Sequence, residues 1–266
     1  MKQGFSLVEL SIVLVILGLL TGGILGGQAL IRSAELRAIT TEYDKYQTAI
    51  NTFKDKYFQL PGDMTNAIAF WGDNTTHCDD GDATNNGSPG TCNGDGDGAM
   101  ESSPAPSVEG ENFMFWQHLA YAGLIEGTYT GICGAGTRWN HDLGVNAPRS
   151  RLSSAGWGIN GPTNQPTVDA YDLSSAGEYG NMLYYGGESA NNTEPHAPVL
   201  TPEEAWNVDT KIDDGLPASG ILVAFYWDDE CGTANDGGSA DDDLDARYNL
   251  AESSVQCALA FRHAIR

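Results

Sequence analysis

The chain has 266 residues and a formal net charge of −23 at pH 7, with 41% hydrophobic and 18% charged residues. A chain of this length forms one or two domains, and its hydrophobic content is sufficient for a packed core. The excess of acids argues against a nucleic-acid-binding protein, because a phosphate backbone would be repelled, and against peripheral docking on anionic lipid.

The basic residues are concentrated near the N-terminus. Six of the thirteen Lys and Arg residues lie in the first 56 residues, whereas residues 57–137 contain eleven acids and no Lys or Arg. The sequence therefore divides into two physically different parts, a short basic N-terminal segment and a long acidic remainder.

Residues 10–31 form an uncharged, mostly apolar run. About 20 such residues cross the hydrocarbon core of a bilayer as a helix. The alternative is a secretory signal peptide, but the basic region is only a few residues long, no small-x-small cleavage site ends the run, and Glu9 stands at its entry. A carboxylate inside a membrane is costly and is a functional candidate, unless Glu9 only reaches the lipid headgroups.

The segment around this acid reads Gly-Phe-Ser-Leu-Val-Glu, from Gly4 to Glu9. It resembles the N-terminus of type IV pilins and of the pseudopilins of type II secretion systems. The resemblance implies that residues 1–4 are a leader, which a prepilin peptidase removes by cutting after Gly4. It also implies that Phe5 becomes the methylated N-terminal residue and that Glu9 is required for assembly.

A second helical pattern follows the apolar run. Apolar residues recur at steps of three and four, which predicts an amphipathic helix laid on the protein's own globular part. They are Leu36, Ile39, Tyr43, Tyr46, Ile50, Phe53 and Tyr57. The predicted organisation is a leader at 1–4, a helix at 5–57 whose transmembrane and assembly part is about 5–31, and an extracytoplasmic globular head at 58–266.

The chain is predicted to have an α+β fold, with the long N-terminal helix packed on an antiparallel β-sheet head with long disulfide-bearing loops. Segments rich in β-branched and aromatic residues predict strands, and a Thr-Pro-Glu-Glu capping box predicts a helix start. The predicted elements are a buried helix at 112–125, strands at 182–185 and 221–227, and a short helix at 201–206.

The five cysteines indicate an oxidising compartment. Leaving one over and pairing the other four allows 15 arrangements. We favour Cys78–Cys92 and Cys231–Cys257, because each pair encloses a loop rich in Gly, Asp and Asn, and Cys133 is then left over. The alternative, five reduced thiols, requires a cytosolic head.

Residues 93–98 read Asn-Gly-Asp-Gly-Asp-Gly, with oxygen ligands at every second position. They resemble the first half of an EF-hand calcium loop. The twelfth position is Pro104 instead of Glu, so a nearby Glu would have to substitute. The candidate calcium ligands are Asn93, Asp95, Asp97 and either Glu101 or Glu109, and the alternative is a solvated acidic turn.

A second acidic cluster surrounds the loop between Cys231 and Cys257. Its eight acids occur without a base, and a hard divalent cation would relieve their repulsion. The family resemblance also implies calcium here, since major pseudopilins hold calcium in a C-terminal loop. The candidate ligands are Asp228, Asp241 and Asp243.

No catalytic motif of the HExxH, GxSxG or GxxxxGK[ST] type occurs, and the five histidines are scattered. His118 lies in an apolar helix and is predicted to be a core histidine. We therefore expect no enzyme. A membrane-anchored hydrolase would need a pocket of convergent titratable groups.

The leading hypothesis is a structural subunit of a type IV pilus or pseudopilus-like filament. The resemblance implies as partners other copies of the chain, related pilin-like subunits, prepilin peptidase and an inner-membrane assembly platform. Calcium is the candidate cofactor, and no nucleic acid is expected. A single-pass inner-membrane precursor would become a periplasmic or extracellular filament. The alternative is a membrane-tethered calcium- or glycan-binding protein that does not polymerise.

Overall fold

The structure is a computed structural model, and it describes residues 7–73, 78, 90–102, 109–161, 180–189, 193–224, 231–233 and 246–265. The helices of these ranges are α1 (Leu7–Tyr57), α2 (Ile68–Trp71), α3 (Glu111–Tyr121) and α4 (Pro202–Ile212). The strands are β1 (Gly156–Asn160), β2 (Asn181–Gly186), β3 (Leu222–Ala224), β4 (Gly232–Thr233), β5 (Arg247–Tyr248) and β6 (Leu259–Ile265).

The main sheet has four strands in the order β1-β2-β6-β3, and each neighbouring pair is antiparallel. Strands β4 and β5 form a separate two-stranded sheet. A long apolar helix packed on an antiparallel sheet confirms the predicted α+β fold. Of the strand predicted at 221–227, residues 225–227 lie outside the described residues.

Helix α1 ends at Tyr57, as the sequence predicted. Phe58 adopts a left-handed conformation with φ 58°, and its N–H donates to the Lys54 carbonyl at 2.8 Å, which caps the helix. The predicted apolar stripe is the face that lies on the head. Its side chains at Ile39, Ile50 and Phe53 are fully buried.

Aromatic rings join this stripe to the sheet and to α3. Tyr46 makes edge contacts with Trp116 and Trp157, at centroid distances of 5.1 and 5.4 Å. Tyr43 stacks on Phe261 of β6 at 4.4 Å. Each such pair adds about 0.5–1.5 kcal/mol beyond its burial. The second half of α1 is therefore an integral part of the head's core.

The predicted bounds of helix α3 are wrong at the C-terminal end, because the helix stops at Tyr121 and not at Ile125. Gly123 turns the chain with φ 71°, and the Leu124 N–H donates back to the Leu119 carbonyl at 3.0 Å. This left-handed glycine closes the helix before the apolar sequence pattern ends.

Helix α4 is longer than predicted, and extends to Ile212 instead of ending at Trp206. The capping box is present, with Thr201 and Glu204 exchanging side-chain-to-backbone hydrogen bonds at 3.3 and 3.0 Å. The later turns persist because Val208 and Asp209 are buried.

The structure contains both predicted disulfides. Cys78–Cys92 and Cys231–Cys257 join Cα atoms 5.5 and 5.3 Å apart. Cys133 is buried and belongs to neither bond. In a chain-entropy description, closing loops of this size stabilises the fold by about 3–4 kcal/mol each.

Candidate functional site

The first half of α1 lies outside the core. Fifteen large apolar side chains between Leu7 and Ile31 are at least half exposed. Among the described residues, α1 is the helix long and apolar enough to span a membrane, and none of its most apolar 18-residue window is buried. Leaving such side chains in water costs on the order of 1–2 kcal/mol each, so this surface needs lipid or neighbouring helices.

The polar groups on this half are compatible with hydrocarbon. The hydroxyls of Ser11 and Thr21 donate to helix carbonyls of Val8 and Leu17, each at 2.9 Å. Five glycines on this half have no described atom within 4 Å of where a Cβ would stand, which leaves room for close helix packing. They are Gly18, Gly22, Gly23, Gly26 and Gly27. Glu9 is the single charged residue of the segment.

Arg32 marks the point where α1 meets the head. Its guanidinium binds the Glu204 carboxylate in a bidentate pair at 2.5 and 2.6 Å, and it also donates to the Val199 carbonyl at 3.1 Å. Burial acts to raise the pKa of Glu204, but the hydrogen bonds from Arg32 and Thr201 and the charge of Arg32 together outweigh it and lower the pKa. This clamp ties the base of the exposed half to α4.

Two further polar side chains of α1 fix how the helix is rotated on the head. The Glu42 carboxylate accepts from the Trp157 indole N–H at 2.8 Å and from the Arg151 backbone N–H at 2.9 Å. One turn and a half later, the Gln47 amide donates to the Ala264 carbonyl at 3.0 Å. The exposed half of α1 therefore projects from a rigidly docked base.

Four carboxylates converge in the head, those of Asp63, Asp95, Asp97 and Glu111. One oxygen from each lies within 4.8 Å of the others. Asp63 follows the turn after α1 and Glu111 is the first residue of α3, and these two are only 3% and 7% exposed. Asp95 and Asp97 are exposed on the loop between them. We call this group the carboxylate cluster.

Backbone N–H groups orient the two buried carboxylates. Asp63 accepts from Gly96 and Gly98 at 2.5 and 2.9 Å. Glu111 accepts from Asp95 and Glu101 at 3.1 and 3.2 Å. At Gly94, a Cβ would stand 2.6 Å from the Glu111 carboxylate and 2.5 Å from Asp63 Cα, so the loop requires glycine there.

The electrostatics of the cluster are unfavourable without a cation. Burial raises the pKa of Glu111 to about 8, the charges of Asp63 and Asp95 reinforce the shift, and the N–H donors oppose it. Burial also raises the pKa of Asp63. An all-carboxylate donor set is the kind that a hard cation such as Ca²⁺ prefers, so the residues present fit that ion chemically.

Residues 1–25 match the family model described as the prokaryotic N-terminal methylation motif. The chain carries the prepilin-type signature of type IV pilins and pseudopilins. The prepilin-type signature predicted from Gly4, Phe5 and Glu9 is thereby confirmed for residues 1–25. No curated protein and no solved structure gives a significant match.

The prepilin-type signature covers the exposed half of α1 and not the head. It is typical of structural subunits, and together with the apolar helix it fits a membrane-anchored precursor. Of its predicted functional residues, Glu9 lies in the first turn of α1, whereas Gly4 and Phe5 lie outside the described residues.

The predicted calcium ligands are only partly brought together in this prepilin-type chain. Asp95 and Asp97 belong to the carboxylate cluster. The Asn93 side chain instead accepts from the Ile68 N–H at 3.1 Å, and Glu101 contributes its backbone N–H to Glu111. Glu109 is buried and forms a β-bridge with Ile132. Asp228, Asp241 and Asp243 lie outside the described residues.

Sequence reasoning missed Asp63 and Glu111 as members of the cluster. The available signals were the Leu-Pro-Gly-Asp turn after α1 and an acid at the start of a buried helix.

His118 is a core histidine, and it supports the turn that follows α1. Its Nδ1 accepts from the Gly62 N–H at 2.9 Å, and its Nε2 is 2.7 Å from the Thr91 hydroxyl. Burial lowers its pKa to about 3.

Proposed function

We propose that the chain is a structural subunit of a type IV pilus or pseudopilus-like filament, which polymerises through α1 after a prepilin peptidase cuts behind Gly4. The match of residues 1–25 to the N-terminal methylation motif carries this proposal. The exposure of Leu7–Ile31 on a rigidly docked helix supports it, because neighbouring copies of that helix supply the apolar contacts.

Glu9 is proposed to select the position of each incoming subunit. A carboxylate surrounded by apolar helices is costly unless it is paired. The amine that cleavage frees on Phe5 of a neighbouring copy supplies an opposite charge. Because one charge pair forms per subunit, it sets the axial register of the helices in the filament.

The proposed function also implies the partners of the chain and its location. Copies of the chain and related pilin-like subunits form the filament, prepilin peptidase processes the precursor, and an inner-membrane platform assembles it. The precursor spans the inner membrane once, and the filament extends into the periplasm or beyond the cell. The acidic head is repelled by nucleic acid.

The test replaces Glu9 with Gln, which keeps the shape of the side chain and removes its charge. We expect the variant to insert in the membrane and to be cleaved, while filaments in sheared fractions fall at least tenfold. Glu126→Gln, an exposed head residue, is the matched control. Mass spectrometry of the mature N-terminus reads cleavage and methylation of Phe5. Filament yields of Glu9→Gln equal to wild type would overturn the proposal, and a wild-type protein that stays monomeric would favour the tethered binding protein.

We further propose that the carboxylate cluster binds Ca²⁺. Four converging carboxylates, two of them buried, favour this over a solvated turn, because the backbone N–H donors offset their mutual repulsion and burial only in part. The exposed members Asp95 and Asp97 provide variants that leave the buried pair intact.

Calorimetric titration of the full-length protein with calcium chloride, after treatment with a chelator, tests this proposal. Asp95→Asn with Asp97→Asn should weaken binding at least tenfold, whereas Asp142→Asn should not. A second set of variants at Asp228, Asp241 and Asp243 separates the C-terminal loop from the cluster. Calcium affinity unaffected by the Asp95 and Asp97 changes contradicts a site at the cluster.

A further inference from the structure

A cleft of about 330 Å³ lies beside α1 at the point where the helix leaves the apolar segment. It is lined by two arginines, Arg37 of α1 and Arg151 of the head, and by uncharged side chains of α1, which are Leu30, Ser33, Ala34, Ala38 and Thr41. We call it the arginine cleft. Its volume is within the range of small-molecule pockets.

Among the described residues, no acid pairs with either of these arginines, in contrast to two neighbouring arginines. Both cleft arginines are exposed, and within the described ranges neither guanidinium has a hydrogen-bond or ion-pair partner. Arg32, by contrast, is held by Glu204, and Arg149 pairs with Glu188 at 3.5 Å. The backbone N–H of Arg151 is fixed by Glu42 at 2.9 Å, so the loop carrying this arginine is held next to the helix.

The cleft lies at the depth of lipid headgroups when α1 spans a bilayer. The apolar run ends at Ile31, and Arg37 is about 9 Å further along the helix axis. Helix side chains lean towards the N-terminus, so the Arg37 guanidinium reaches back over Ser33 and Ala34 towards the membrane. Headgroups extend about 5–8 Å beyond the hydrocarbon on each side.

We propose that the arginine cleft binds the phosphate of an anionic phospholipid headgroup in the membrane-anchored state of the protein. Two guanidinium groups supply charge-assisted donors to the phosphate oxygens. The Leu30 and alanine wall receives the adjoining glycerol and upper acyl chain. Lipid binding at the arginine cleft requires only that α1 anchors the protein in the membrane, and it does not depend on polymerisation.

The net charge of −23 does not oppose this binding, although it disfavours docking of the whole head on anionic lipid. Interactions between exposed charges are screened beyond about 8 Å. Only the charges next to the cleft therefore determine whether an anion binds there. Of the acids on this stretch of α1, Glu42 accepts hydrogen bonds from the Trp157 indole and the Arg151 backbone, and Glu35 pairs with Arg32 at 3.3 Å. Glu204 is neutralised by Arg32.

The experiment counts lipids bound to the full-length protein in detergent micelles by native mass spectrometry. The probes are a phosphoglycerol phospholipid, a phosphocholine phospholipid of the same chains, and inorganic phosphate as a competitor. Each juxtamembrane arginine is expected to contribute about fivefold to anionic-lipid affinity, and the pair about 25-fold. Arg37→Gln with Arg151→Gln should therefore lose the preference for the anionic lipid.

Arg138→Gln with Arg247→Gln removes the same charge from residues that do not line the cleft, and it should keep the preference. Ser33→Asp keeps both arginines but supplies a competing anion, and it should lose the preference. Three results overturn the proposal: an unchanged preference in the cleft variant, displacement of the lipid by millimolar phosphate, or a cleft variant that loses only self-association. The second result indicates a free-phosphate site, and the third indicates a second copy of the chain as occupant.

Discussion

The buried carboxyl group of Glu111 makes the stability of the cation-free head depend on pH. Its pKa of about 8 in the folded head lies above the ordinary 4.5, because the charged form is desolvated. The stabilisation of the protonated form is complete below about pH 4.5 and is lost as the pH rises through about 8. The slope is up to about 1.4 kcal/mol per pH unit between those values and is shallower close to each pKa, so the loss from pH 5 to pH 8 is about 3–4 kcal/mol.

Urea unfolding in detergent micelles with a chelator measures this loss, because all six tryptophans lie in residues 58–266 and report on the head. We expect the free energy of unfolding of wild type to fall by about 3–4 kcal/mol more than that of Glu111→Gln between pH 5 and pH 8. Asp209 and Glu194, whose pKa values burial raises to about 7, contribute equally to both proteins and cancel.

Glu126→Gln is the control, since this exposed residue should leave the pH dependence of wild type unchanged. Adding calcium should raise the stability of wild type more at pH 8 than at pH 5. Glu111 must be deprotonated to bind the ion, and a larger fraction of it is deprotonated at pH 8. Equal pH dependence in wild type and Glu111→Gln would refute the reasoning, because it would mean that the buried carboxyl has no raised pKa.

Two further predictions concern the docking of α1 and use the same unfolding assay. Glu42→Gln removes the charged acceptor of the Trp157 indole and should cost about 1–3 kcal/mol, and an unchanged stability would mean that this contact does not hold the helix. Phe53→Ala empties a fully buried site and should cost about 3–5 kcal/mol, whereas Leu19→Ala, which is 73% exposed, should not change head stability.

The long helix was predictable because two local patterns specify it. The uncharged run fixes the exposed half, and the three-and-four spacing from Leu36 to Tyr57 fixes the docked half. Each pattern depends on residues close in sequence, so no knowledge of the fold was needed. The capping box at Thr201 and the two disulfides were recoverable for the same reason, since each belongs to a short segment or a single loop.

The carboxylate cluster was only half predictable because it is not local. Asp95 and Asp97 stand out in a Gly-Asp repeat, but Asp63 and Glu111 join them only because the turn after α1 and the start of α3 meet.

Strand β1 was not predicted, because Gly156 and Gly158 weaken its strand signal. A Cβ at Gly156 would lie 2.6 Å from the Pro148 carbonyl, so packing and not propensity selects glycine there.

The spacing between Glu9 and Arg32 reconciles the two environments considered for Glu9. The 23 residue steps from Glu9 to Arg32 span about 35 Å of helix, slightly more than the hydrocarbon core. When the Arg32–Glu204 clamp sits at one surface of the membrane, Glu9 therefore lies near the opposite boundary, where headgroups and water solvate a carboxylate. In the proposed filament the same residue is surrounded by neighbouring helices. Its carboxylate is then desolvated on assembly and not on insertion into the membrane. A subunit in the wrong position would leave this desolvation uncompensated and would be destabilised, whereas the membrane-anchored precursor stays stable.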